Sequence, residues 1–271
     1  MQILLVGCGK MGGALLESWA GQQTTRYDIH VVDTSDHVPR VSGSAVTVNT
    51  YHRMEEIPAE VDPDIILFAV KPQSLKEVVH PYFSEFGIDP LYLSIAAGRT
   101  LGWYQEQMDS AARVIRAMPN TPALIGRGVT VMVAGAGVGE DDKRHAQTLL
   151  EASGIVLWLE DEANMDAVTA LSGSGPAYVF YFMECLIRVA LDHGLEEDMA
   201  RSLVMHTLLG SSELAFLSEE PINMLRRNVT SPGGTTEAAL ECLMNPSGML
   251  PLLQRAVEAA ITRARQLSAQ K

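Results

Sequence analysis

Short runs rich in β-branched and apolar residues recur along the first part of the chain: Ile3–Val6, Ile29–Val32, Val46–Val48, Ile65–Val70, Tyr92–Ala96, Val114–Ala117, Val129–Val133 and Val156–Leu159, several of them apolar on consecutive positions. Each has the length of a strand. In Ile65-Ile66-Leu67-Phe68-Ala69-Val70 neighbouring positions are all apolar instead of alternating with polar ones, which is what a strand covered on both faces of a parallel sheet requires. Segments with helical spacing lie between the runs, so this part is expected to be α/β, a mostly parallel, doubly wound sheet.

After about Asp161 the strand signal stops and the rest reads as helices. Two domains are therefore expected, residues 1–160 and an all-α part of residues 161–271. Pro176 suits a first helical position and Gly194 follows a last turn, which brackets a helix of roughly residues 176–193. Tyr178, Val179, Phe180, Tyr181, Leu186, Val189 and Leu191 cannot share one stripe of it, so it must be buried on most sides. The remaining helices supply only part of that cover. A homodimer packed through this domain is expected, with the centre of a monomeric bundle as the alternative. Ala167–Met183 carries no charge, but Ser172-Gly173-Ser174-Gly175-Pro176 interrupts it, and it falls short of the ~20 apolar residues of a membrane span. It reads as buried loop and helix.

Composition narrows the classes. At 47% hydrophobic residues and a mean hydropathy of +0.09 the chain has the means to build a core, which argues against disorder. Against 33 Asp and Glu stand 20 Lys and Arg, a net charge of −13, so neither a nucleic acid nor an anionic membrane is an expected partner. The three cysteines, Cys8, Cys185 and Cys242, form no metal pattern and read as buried thiols of a reducing compartment. Met1–Val6 runs straight into a strand without a basic leader, which points to the cytosol.

Gly7-Cys8-Gly9-Lys10-Met11-Gly12 directly follows the first strand and opens a helix containing Ala14, Leu15, Leu16 and Trp19. That is the strand, tight turn and helix of a Rossmann dinucleotide site, in which the helix N-terminus takes the phosphates. Asp33 ends the second strand, where a carboxylate accepts adenosine ribose hydroxyls and repels a 2′-phosphate, so NAD is favoured over NADP. Thr34, Ser35, His37 and Arg40 follow and would form a phosphate cradle if Asp33 turned away; Asp33 as the cap of a turn is a further alternative. Ala69-Val70-Lys71-Pro72 and Ala96-Ala97-Gly98 end the next strands on the same edge and are expected to line the cofactor. Arg116-Ala117-Met118-Pro119-Asn120-Thr121-Pro122 is a rigid two-proline loop, either part of the site or only a stiff turn.

In the helical part, Asn228-Val229-Thr230-Ser231-Pro232-Gly233-Gly234-Thr235-Thr236 leads into a helix beginning near Thr236. The N–H groups of this loop, those of Gly233 and Gly234 included, and the hydroxyls of Ser231, Thr235 and Thr236 suit a carboxylate without any Lys or Arg. An ordinary cap by Thr235 or Thr236 is the alternative. Reduction of a ketone needs a strong proton donor, yet the chain has five lysines and none between Lys143 and Lys271, while His193 and His206 fall within helices. A cyclic imine arrives with its nitrogen already protonated, and a threonine hydroxyl suffices to orient it.

Together with Val70-Lys71-Pro72 and Ser172-Gly173-Ser174-Gly175-Pro176-Ala177-Tyr178, these motifs resemble pyrroline-5-carboxylate reductases over essentially the whole chain, in order and spacing. The resemblance implies reduction of Δ1-pyrroline-5-carboxylate to L-proline, the last step of proline biosynthesis, with NADPH or NADH as donor. It also implies a Rossmann domain and a helical domain that intertwines in a dimer, often five dimers to a decamer. Thr236 would then meet the substrate nitrogen, the N–H groups of Thr235 and Thr236 and the Ser231 region the substrate carboxylate, and Asn228 the nicotinamide. Where Asp33 stands, members of the family usually carry a neutral or basic group, so their common NADPH preference does not transfer directly. The rivals are a reductase of another cyclic imine, a β-hydroxyacid dehydrogenase, and a catalytically silent dinucleotide-binding regulator.

Overall fold

The fold is described from a computed structural model that covers residues 1–22, 25–35, 38–41 and 46–269. All eight expected strands form: β1 (Gln2–Val6), β2 (Tyr27–Val32), β3 (Val46–Tyr51), β4 (Ile65–Phe68), β5 (Leu91–Ser94), β6 (Arg113–Met118), β7 (Gly128–Ala134) and β8 (Gly154–Trp158). They make one sheet in the order β3-β2-β1-β4-β5-β6-β7-β8, parallel except for the β6–β7 pair. Helices α1 (Lys10–Ala20), α2 (Leu75–Phe86), α3 (Leu101–Gln107) and α4 (Glu140–Glu151) are the crossovers.

Side-chain alternation divides the core between the two faces. Ile3 and Leu5 of β1 point to one side with Leu15, Leu16 and Trp19 of α1 and Leu149 of α4. Leu4 and Val6 point to the other with Val79 and Tyr82 of α2 and Tyr104 of α3. All are buried. The Trp19 indole N–H donates to the Leu149 carbonyl at 2.8 Å, which satisfies its one polar atom inside the core. From β1 the chain builds outward to β2 and β3 and then crosses to β4 on the other side, so the switch point lies between β1 and β4. Ligands bind outside the carboxyl ends of the strands at such a point.

Strands β4 and β5 stop two residues short of the expected ends. After Phe68 only the Ala69 N–H still reaches the sheet, at the Val6 carbonyl (2.8 Å), and after Ser94 only that of Ile95, at Phe68 (3.1 Å). Ala69–Lys71 and Ala96–Gly98 are thereby freed as loops.

Beyond the sheet follow α5 (Met165–Val168), a π-helical turn over Thr169–Gly173, and α6 (Gly175–Asp192), α7 (Glu197–Leu217), α8 (Ile222–Asn228), α9 (Thr235–Leu243) and α10 (Met249–Ser268). Of the residues read as a buried loop, Ser172 and Gly173 belong to the π turn and Gly175 opens α6, with Ser174 as the bend between them, and all are only partly covered. The i→i+5 turn absorbs the glycines without breaking the helical path. Compactness also divides the chain elsewhere than at residue 160: one unit is Met1–Ser174 with Ala260–Lys271, the other Gly175–Ala259. The strand signal ends with the sheet, whereas α5 and the π turn still pack with it, Met165 and Ala170 being fully buried.

The expected burial of α6 is not met within one chain, where none of its residues is buried. Phe180 is 56% and Tyr181 67% exposed, and Leu209 on α7 is 61% exposed. Between α6, α7 and α10 lies an apolar groove of about 1100 Å³. Among the described residues no helix is long and apolar enough to cross a membrane.

Candidate active site

At the switch point the three neighbouring strand ends meet a glycine turn. Gly7 leaves β1 at φ +90°, its N–H bonded to the Val32 carbonyl at 2.8 Å. A Cβ on it would stand 2.9 Å from the Val70 nitrogen, so only glycine passes here. Gly12, in the first turns of α1, is forced in the same way, because its Cβ would lie 2.6 Å from the Gly7 carbonyl oxygen.

Gly9 is different. Its backbone is extended with φ −68°, open to any residue, and a Cβ on it would find nothing within 4 Å. Among the described residues nothing demands glycine at this place. Gly9 caps α1 without a side-chain acceptor, and the first turn of α1 contains no acidic residue. Its leading N–H groups, those of Lys10, Met11 and Gly12, are thus presented bare beside open space. That is the fit expected for a pyrophosphate approaching a helix N-terminus.

The Asp33 carboxylate sits beside this loop. Its Oδ2 accepts the Cys8 N–H at 2.5 Å, and its Oδ1 accepts both the N–H and the hydroxyl of Ser35 at 2.8 and 2.6 Å. Burial opposes ionisation, but the hydrogen bonds from the Ser35 hydroxyl and from the Cys8 and Ser35 N–H groups outweigh it and hold the carboxyl below its ordinary range. The capping alternative is therefore realised: Asp33 closes a turn over Thr34 and Ser35 and ties it to the glycine turn after β1. It also still stands, charged, at the end of β2. Arg40 and Ser35 line a crevice next to it, while His37 lies outside the described residues.

Lys71 precedes a short 3₁₀ turn at Pro72–Ser74 and is exposed, on the same sheet edge as Ala69 and Val70. Ala96 is buried and Ala97 partly so. The two-proline loop, left open between site and stiff turn, is fastened to the serine-glycine segment. Asn120 donates through Nδ2 to the carbonyl (3.3 Å) and hydroxyl (3.2 Å) of Ser172, and its Oδ1 accepts the Val129 N–H at 2.9 Å. The Met118 methyl lies where a Cβ on Gly173 would come within 2.5 Å. Arg116, 3% exposed, pairs with Glu162 at 2.8 Å, and the same Glu162 oxygen accepts the Leu101 N–H. The sequence reading missed this pair. An arginine inside the otherwise apolar Val114–Met118 run was its signal, since a buried cation needs a partner.

In the helical unit, Ser231-Pro232-Gly233-Gly234 is a turn closed by the Gly234 N–H on the Ser231 carbonyl at 3.0 Å. Pro232 occupies its second position and Gly233, at φ +70°, its third, as a type II turn requires. Helix α9 begins at Thr235, with Gly234 as its cap and no side-chain cap bond, so neither threonine is the N-cap. Two of the expected donors are already used: the Gly233 N–H donates to Glu237 Oε2 at 2.7 Å and the Gly234 N–H closes the turn. The N–H groups of Thr235 and Thr236 remain unpaired as the first of the helix. Asn228, the last residue of α8, donates to Glu220 at 2.7 Å. Among the described residues no cluster of side chains suits a metal ion.

Comparison with known proteins agrees with this arrangement. Residues 162–267 match the family "Pyrroline-5-carboxylate reductase dimerisation", and residues 2–98 match "NADP oxidoreductase coenzyme F420-dependent". The chain is 35% identical over 269 residues to the pyrroline-5-carboxylate reductase of Pseudomonas aeruginosa, covering 99% of this chain and 97% of the relative. Among solved structures it is similar to the pyrroline-5-carboxylate reductase of Coxiella burnetii, with a TM-score of 0.85 and 31% identity over 99% of this chain and 98% of that one. It is likewise similar to the pyrroline carboxylate reductase of Plasmodium falciparum with NADP bound, with a TM-score of 0.82 and 30% identity over 99% and 98%. A sheet with bare glycines at its switch point, a helical part matched by a dimerisation family and relatives spanning nearly its whole length place this chain in the pyrroline-5-carboxylate reductase family.

Proposed function

We propose that the chain reduces Δ1-pyrroline-5-carboxylate to L-proline at the expense of NADPH or NADH, the last step of proline biosynthesis. Full-length similarity to enzymes of that name supports the reaction, and the Gly9 opening is the observation in the chain itself that carries the cofactor. A bound reduced nicotinamide dinucleotide supplies the hydride. The protein's part is to hold the acceptor. The unpaired N–H groups of Thr235 and Thr236, at the positive end of α9, bind the substrate carboxylate, with the Ser231 hydroxyl beside them. Gly233 and Gly234 contribute the shape of the turn and not their N–H groups. The Thr236 hydroxyl orients the ring nitrogen. Since the imine arrives protonated and the product amine is neutral or protonated, no alkoxide forms and no strong acid is needed; most of the rate comes from positioning.

Gly7 to Gly12, Asp33 to Ser35, Ala69 to Pro72 and Ala96 to Ala97 form the dinucleotide side, and Asn228 the nicotinamide end. The helical part carries a homodimer contact, with five dimers to a decamer as the larger assembly, and the enzyme works in the cytosol.

The test follows nicotinamide absorbance with pyrroline-5-carboxylate. Turnover is expected with wild type, and Thr236→Ala should lower kcat at least about tenfold with its melting temperature unchanged. A folded Thr236→Ala with full kcat removes Thr236 from the mechanism. Dinucleotide binding without turnover of wild type would favour the silent regulator.

A further inference from the structure

The end of β2 holds more than an acceptor for a ribose. Beside Asp33 opens a crevice of about 530 Å³ whose lining includes Ser35, Arg40, Thr50, Tyr51 and His52. The Arg40 guanidinium and the Thr50 hydroxyl are the kinds of group that hold a phosphate, while the Ser35 hydroxyl is bonded to Asp33 and the Tyr51 hydroxyl to His30. Among the described residues Arg40 makes neither hydrogen bond nor ion pair.

Asp33 faces these groups and cannot easily move. Swinging it away would break its bonds to the Cys8 N–H and to both donors of Ser35. A carboxylate has about four acceptor positions, of which these bonds fill three. One ribose hydroxyl fits the fourth. A 2′-phosphate at that point has no proton to offer and adds a second negative charge to the first.

Resting on the reading of this edge as the dinucleotide site, we infer that Asp33 makes this chain select NADH over NADPH, and that Arg40 is a latent phosphate ligand which Asp33 keeps silent. Removal of the carboxylate exposes the cradle, and the sign of the preference then depends on Arg40.

Direct titration of each dinucleotide, without imine substrate, tests both halves. Wild type is expected to bind NADH at least about tenfold more tightly than NADPH, the order of a charge repulsion at a partly exposed site. Asp33→Ser retains a hydroxyl acceptor for the Cys8 N–H and should tighten NADPH binding at least about tenfold. Adding Arg40→Ala should remove most of that gain. Wild type that binds NADPH as tightly as NADH overturns the role of Asp33, and this result needs no variant to fold. An unchanged NADPH affinity on adding Arg40→Ala overturns the role of Arg40. Binding of neither dinucleotide by the folded protein overturns the cofactor reading itself and the inference with it, whereas selective binding without turnover leaves the inference standing and fails only the assigned reaction.

Discussion

Cys8 lies within the glycine turn between β1 and α1, the turn proposed to take the cofactor phosphates. It is 5% exposed, and burial first, then the charges of Asp33 and Glu17, push its thiol up to about 11. At neutral pH it stays protonated and unreactive. Native protein at pH 7.5 should resist alkylation by iodoacetamide at Cys8, and the unfolded chain should accept it, as peptide mass spectrometry reads directly. Rapid labelling of native Cys8 would mean that the loop opens. The same shift has a sign in stability. Between pH 9, where the unfolded thiol ionises, and about 11 the folded state binds more protons, so its stability falls as pH rises through that window. Asp33 acts at the other end of the scale: its depressed pKa contributes stability above the ordinary carboxylate range that is lost as pH falls through the folded value.

At the scale of an element, the turn from β1 into α1 shows two glycines kept for different reasons. Gly12→Ala drives a methyl into the Gly7 carbonyl and should cost about 1–3 kcal/mol, seen as a lower melting temperature. Gly9→Ala meets nothing among the described residues and should change stability by under about 1 kcal/mol, the loss of a glycine cap, while weakening dinucleotide binding at least tenfold. Wild-type affinity in Gly9→Ala would show that the pyrophosphate lies elsewhere. The existence of these elements was legible in the sequence because the central strands β1 and β4 are apolar on both faces and their neighbours nearly so. Their limits were less so. The edge strand β3 runs on through Asn49, Thr50 and Tyr51, whose polarity hides a ladder that parallel pairing with β2 sustains. The Asn120 bridge to Ser172 spans 52 residues and joins two loops, so no local pattern announces it. The motifs were visible, but the hydrogen bonds that spend the Gly233 and Gly234 donors depend on a turn geometry that composition does not specify.

For the whole molecule, the decisive feature is the apolar surface of the helical unit. Phe216 and Leu217 are 83% and 76% exposed, in addition to Phe180, Tyr181 and Leu209. So many exposed large apolar residues on one unit are what an interface offers, and a match to a dimerisation family covers these residues. Sedimentation should give a dimer or a larger assembly of dimers for wild type, and Leu209→Asp, which sets a charge in the groove between α6, α7 and α10, should shift it toward monomer. A monomeric wild type would overturn the assembly; an undisturbed dimer in Leu209→Asp would place the contact on another face.

The path of α10 carries a consequence for how the chain is made. It begins in the helical unit and ends in the sheet unit, where Leu267 comes within 3.3 Å of a Cβ placed on Gly98 and Arg265 lies 3.9 Å from Asp166. On the ribosome, therefore, the whole of residues 175–259 emerges before the segment that completes the sheet unit. The nascent sheet unit lacks the last turns of α10 while the other unit is being synthesised. The backbone also crosses between the units twice, so a single protease nick leaves them joined by a second strand of covalent bonds.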